Sequence, residues 1–122
     1  MNKKILVVDD SKTIRQQVSF ALSKGGYQIV EASDGRNGIS VLKENLDVVA
    51  IICDVNMPLM NGLEMVSAIS KDPSLPKYPI IMLTTEGGQD SIQKAKEAGA
   101  RGWLVKPFNP DHLLSIITKL AV

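Results

Sequence analysis

The chain has 122 residues, with 14 Lys and Arg against 13 Asp and Glu, for a net charge of +1. Its length fits one domain of ~100–150 residues, and its 44% hydrophobic and 22% charged make-up excludes disordered, collagen-like and disulfide-scaffold chains. The balanced charge leaves no basic excess to drive binding to nucleic acid or to anionic lipid.

Short apolar runs rich in Val and Ile alternate with helical patterns. The first run, Ile5–Val8, predicts a strand that ends in Asp9-Asp10. It is too short for a signal-peptide core, although Lys3-Lys4 precede it. Ser11 is then a plausible N-cap for a helix with Ile14, Val18, Ala21 and Leu22 on one stripe, stopped by Gly25-Gly26. Tyr27–Ala32 predicts the second strand. After Asp34-Gly35, Ile39, Leu42 and Leu46 mark the second helix.

Val48–Cys53 predicts the third strand and is the longest apolar run, far short of a membrane span. Its Cys53 is the only cysteine, so no internal disulfide can form. A buried-strand cysteine reads as a small packed hydrophobe rather than a redox sensor. These features lead to an expected cytoplasmic location. Leu63, Val66 and Ile69 form the third helix between Asn61-Gly62 and Asp72-Pro73. The loop Asp72–Pro79 carries three prolines and reads as a rigid surface connection.

Ile80–Leu83 predicts the fourth strand, followed by a weaker helical stripe of Ile92, Ala95 and Ala98 before Gly99. Gly102–Val105 is the fifth strand. Leu113, Leu114, Ile117 and Leu120 mark the fifth helix, capped by Asn109 with Pro110 in its first position. His112, the only histidine, falls in its first turn and reads as an exposed or packing residue.

Five consecutive strand–helix units predict an α/β fold: a five-stranded parallel sheet with helices on both faces, joined by right-handed crossovers. The expectation is a single domain over residues 1–122 with no output domain. In such a doubly wound sheet the ligand site lies at the carboxyl ends of the strands, where strand order reverses. If the order is 2-1-3-4-5, Asp9, Asp10 and Asp54 become neighbours, with Thr84-Thr85 and Lys106-Pro107 nearby.

Three converging carboxylates repel one another, by ~4 kcal/mol for each pair ~4 Å apart at an effective dielectric of about 20. The cluster must take up protons or hold a cation, and carboxylate and carbonyl oxygens favour a hard ion such as Mg2+. Three aspartates, one divalent ion and Lys106 balance to zero. Taken alone, each piece has a plainer reading: Asp9-Asp10 as acids at a helix N-terminus, Thr84 and Thr85 as strand-forming residues, Lys106 as a surface lysine.

Together the pieces resemble a known family. They are Val7-Val8-Asp9-Asp10-Ser11, Asp54-Val55-Asn56-Met57-Pro58 with Gly62, Met82-Leu83-Thr84-Thr85-Glu86, Gly99-Ala100, and Gly102-Trp103-Leu104-Val105-Lys106-Pro107-Phe108. In this order and spacing the chain resembles the response-regulator receiver domains of two-component signalling, in their stand-alone chemotaxis type. That type is a known instance of the 2-1-3-4-5 sheet.

The resemblance implies that Asp54 accepts a phosphoryl group from a sensor histidine kinase. Asp10 would ligate Mg2+ directly, Asp9 mainly through water, Asp54 as a further ligand and Asn56 through its backbone carbonyl. Thr84, the backbone NH of Thr85 and Lys106 would contact the phosphoryl group. Asn56 and Glu86 would tune its lifetime, and Thr84 with Trp103 would form the switch. The Lys106-Pro107 bond would be cis.

The implied partners are the kinase, a target protein on the fourth helix, fifth strand and fifth helix (a flagellar motor switch leads), and an auxiliary phosphatase. No nucleic acid or membrane partner is expected. The protein would turn over no separate substrate, only its own phosphorylation and dephosphorylation. The alternatives are a phosphorylation-independent binding module or a phosphate sink of the same fold. Two rivals fit less well. A flavin binder would meet Asp9-Asp10 where its phosphate must go. A haloacid-dehalogenase-type phosphatase needs a second Asp where Asn56 stands.

Overall fold

A computed structural model describes residues 3–85 and 87–121. Glu86, assigned to lifetime tuning, lies outside the described residues. The elements run β1 (Lys4–Val8), α1 (Lys12–Ser23), β2 (Gln28–Ala32), α2 (Gly35–Glu44), β3 (Val48–Cys53), α3 (Gly62–Lys71), β4 (Ile80–Thr84), α4 (Gln89–Ala98), β5 (Gly102–Val105) and α5 (Pro110–Leu120). All neighbouring strands pair in parallel, in the order β2-β1-β3-β4-β5. The order matches the expected 2-1-3-4-5, with its reversal between β1 and β3.

Successive side chains of a strand point to opposite faces, so each inner strand feeds two cores. Leu6, Val8, Ile51, Cys53, Ile80 and Met82 pack with Leu42, Met65, Val66 and Ala95, under α2, α3 and α4. Ile5, Val7, Ala50, Ile52, Ile81 and Leu83 pack with Val18, Leu22, Leu113 and Ile117, under α1 and α5. The strands lack polar alternation because both their faces are covered.

Four helix starts follow from their caps. Ser11, Asp34, Asn61 and Asn109 each accept a hydrogen bond from the backbone three residues on. At α3 the Glu64 side chain returns the bond to Asn61 N–H, completing a capping box. α4 begins at Gly88 without a side-chain cap.

Three expectations need correction. Leu46 is not part of the α2 stripe: it is 51% exposed and lies beyond the helix. Asn45 ends α2 by donating its side-chain amide to Val41 O, which turns the chain toward β3 before Leu46 can face inward. The second strand starts at Gln28, not Tyr27. The loop over 72–79 is a connection, but not purely a surface one. Its Leu75 and Tyr78 are buried, and Tyr78 Oη donates to Leu46 O at 3.1 Å. The spacing of those two residues follows the turns between prolines and has no helix or strand period to reveal it.

Candidate functional site

The site forms where β1, β3, β4 and β5 end. Asp9 N donates to Ala32 O on β2, and Asp54 N donates to Val8 O on β1. The sheet ladder therefore continues one residue past each strand and fixes where both aspartates begin. Asp9 and Asp54 are buried, at 3% and 6% exposure, whereas Asp10 is exposed. Lys106 N donates to Thr84 O, which aligns the end of β5 with that of β4. Thr84 is fully buried, and Thr85 and Asn56 lie at the exposed rim. The Lys106-Pro107 peptide is cis.

Each buried carboxylate has one oxygen on a backbone amide and one on the lysine. Asp9 Oδ1 accepts from Ser11 N at 2.9 Å, and Asp54 Oδ1 accepts from Val55 N at 2.7 Å. Lys106 Nζ reaches Asp9 Oδ2 at 2.8 Å and Asp54 Oδ2 at 3.2 Å. Burial holds the Asp9 carboxyl above the usual range, against the lowering effect of its bonds from Lys106 and Ser11. Burial pulls the Lys106 ammonium down, but the hydrogen bond it donates to Asp9 and the two carboxylate charges outweigh it, so the net direction is up. Lys106 therefore stays charged at neutral pH.

Asp9, Asp10 and Asp54 each offer a carboxylate oxygen within 4.8 Å of the others. This donor set is all hard oxygen, carries more negative charge than Lys106 neutralises, and opens to solvent at Asp10. It fits a Mg2+ ion, which takes few protein ligands and retains waters.

The backbone around the acceptor is tightly packed. A Cβ on Gly62 would stand 2.0 Å from Asp54 O, so only glycine lets the start of α3 lie against this carbonyl. Cys53 Sγ donates to the same carbonyl at 3.2 Å. Burial, then the charges of Asp54 and Asp9, push the Cys53 thiol far up, in keeping with a packed, unreactive role.

The structure thus brings together Asp9, Asp10, Asp54, Thr84 and Lys106, with Asn56 and Thr85 at the rim. Trp103 lies apart from this cluster. It is half-buried, pairs in register with Met82 and packs against the α2–α4 core.

Arg15 was not legible in the sequence. Its Nη1 donates to Asp9 O at 2.6 Å and its Nε pairs with Glu31 at 2.9 Å, so α1 and β2 together clamp the Asp9 backbone. The only available signal was a cation beside Ile14 on the inward stripe, one turn after the cap.

A family model described as the response regulator receiver domain matches residues 5–118. The chain belongs to the response-regulator receiver family. This receiver domain is 43% identical over 111 residues to chemotaxis protein CheY1 of Helicobacter pylori, covering 90% of each chain. It is 42% identical over 111 residues to a CheY homologue of Campylobacter jejuni, covering 90% of this chain and 85% of that one. Among solved structures it is similar to CheY4 of Vibrio cholerae, with a TM-score of 0.90 and 43% identity over 98% of this chain and 99% of that one. It is thus a receiver domain of the CheY-like response regulators of two-component signal transduction. Such domains generally bind Mg2+ at an acidic pocket and act between a histidine kinase and a downstream target. Among the described residues, no helix is long and apolar enough to cross a membrane.

Proposed function

We propose that this receiver takes a phosphoryl group from a phosphohistidine onto Asp54, changes conformation, binds a target protein, and loses the group by hydrolysis. One observation carries this reading. Asp54 is a buried carboxylate held between a backbone amide and a lysine, with two further aspartates within 4.8 Å.

In the transfer, an Asp54 oxygen forms the new P–O bond while the donor P–N bond breaks. The imidazole nitrogen leaves with the bonding electrons and takes up a proton. Asp54 Oδ1 is tied to Val55 N–H, which aims the carboxylate. Oδ2, on Lys106, is the oxygen the ammonium keeps in reach while offering its charge to incoming phosphoryl oxygens. The buried Thr84 hydroxyl and the Thr85 N–H are the further donors for those oxygens.

Asp10, Asp54 and the Asn56 carbonyl would hold Mg2+, with Asp9 acting through water. The ion would supply neutralisation of the charge that develops on the transferring group. Asp9, bonded to both Ser11 N–H and Lys106, holds the lysine in place as the acceptor changes charge.

A target protein would dock on α4, β5 and α5. There Trp103, Leu104, Ile116 and Leu120 line one apolar groove, and the switch residue Trp103 on β5 lies two strands from β3, which ends at the acceptor. The similarity to chemotaxis proteins favours a flagellar motor switch as that target, with the chain working as a stand-alone receiver.

The test is intact mass after incubation with Mg2+ and acetyl phosphate. One added phosphoryl group is expected, absent with EDTA and absent in Asp54→Asn. No gain from either acetyl phosphate or a phosphorylated kinase would leave a phosphorylation-independent binding module as the reading.

A further inference from the structure

The loop from β3 to α3 is closed on itself. Gly62 N donates to Val55 O at 2.8 Å, and Gly35 N ties the loop to α2 through Met60 O at 3.0 Å. Within it, Met60 N donates to Pro58 O at 2.7 Å, a two-residue reach that makes a γ-turn centred on Leu59. Leu59 has φ +67°, the only positive φ at a non-glycine among the described residues. Glycine takes this conformation without penalty and asparagine tolerates it, but leucine is strained there.

The same residue is 75% exposed, more than Phe20, Leu46 or Val105, the other large apolar side chains open to solvent among the described residues. A lone exposed leucine is ordinary. A leucine that is both exposed and strained, where glycine or asparagine would remove both faults, is not.

Its place supplies the reason. Asp54 is only 6% exposed, so any protein that brings a phosphohistidine within bonding distance must press on the rim around it. Around that rim the exposed residues are polar at Asp10, Asn56 and Thr85 and apolar at Pro58 and Pro107. We propose that Leu59 is an apolar contact for the protein phosphodonor, buried when the donor docks and idle toward small donors. This rests on Asp54 being the acceptor. Neither hydrogen bond of the turn uses the Leu59 side chain, so the side chain can be changed without unmaking the loop.

The experiment compares two donors that share the P–N bond: phosphoramidate, and the phosphorylated histidine-containing domain of a chemotaxis-type kinase. Leu59→Asn and Leu59→Gly are expected to keep the phosphoramidate rate within about twofold and to lose about tenfold in kcat/KM with the protein donor, through KM. Leu59→Met should retain the protein-donor rate. Both glycine and asparagine variants should melt no lower than the parent, because they relieve the turn. Equal rates with both donors would overturn the proposal. So would a parallel loss with both, which would make Leu59 a support of the loop, and so would a lower Tm. Failure of both phosphoramidate and the phosphorylated protein donor to modify the parent chain, at the position blocked in Asp54→Asn, would instead overturn the acceptor reading.

Discussion

One ammonium serves two buried carboxylates at this site, and the third is left to water. Lys106 bridges Asp9 and Asp54, while Asp10 has no cation partner among the described residues. The folded chain therefore holds repulsion that an ion would relieve. Asp10→Asn is expected to raise stability by about 1 kcal/mol, the exposed end of the Coulomb scale. Adding Mg2+ should raise the Tm of the parent, EDTA should reverse this, and Asp10→Asn should lose the response. Thermal unfolding with and without Mg2+ checks all three. The residue types at these positions were legible in the sequence. The pairing of Lys106 with Asp9 was not, because residues 97 apart meet only through the alignment of β5 with β4.

At the scale of elements, α3 is the part most closely fitted to the site. Its first residue, Gly62, lies against the carbonyl of the acceptor itself. Gly62→Ala is expected to cost at least ~2 kcal/mol, since the obstacle is backbone and cannot swing away. It should also slow acetyl phosphate labelling by displacing Asp54, and urea unfolding with intact mass would show both. The other end of α3 is set by Asp72, whose carboxylate accepts from the Ser74 hydroxyl at 2.6 Å and Ser74 N at 2.9 Å. These bonds hold its pKa below the usual range. A lowered folded value contributes stability that is present above the unfolded pKa of ~3.9 and lost as pH falls through the folded value. Ser74→Ala should therefore lose less stability than the parent as pH drops below ~4, as measured by urea unfolding across pH.

Caps and glycines made these element boundaries legible: Ser11, Asn61 and Asn109 act locally. The end of α2 was not, because Leu46 keeps the helical spacing while Asn45 has already turned the chain.

Across the whole molecule, the two cores share their strands. Neighbouring residues such as Ile51 and Ile52 belong to opposite faces, so neither core can be lost while the other keeps its sheet. Unfolding is expected to be a single transition. Trp103 fluorescence, which reports the α2–α4 side, and far-UV circular dichroism, which reports all helices, should give coincident urea curves. Separate midpoints would show that the faces melt independently.

Local and periodic information in the sequence was enough for the five strand–helix units, the parallel sheet and the residues that end each strand. Apolar runs, caps and the motif residues all act within a few positions of themselves. The tertiary structure alone decided what those residues do to one another. It put Lys106 between two aspartates, Arg15 on the Asp9 carbonyl, Gly62 against Asp54, and Leu75 and Tyr78 in the core. Each of these depends on strand order and register, which set distances between residues far apart in the chain and leave no period in the sequence.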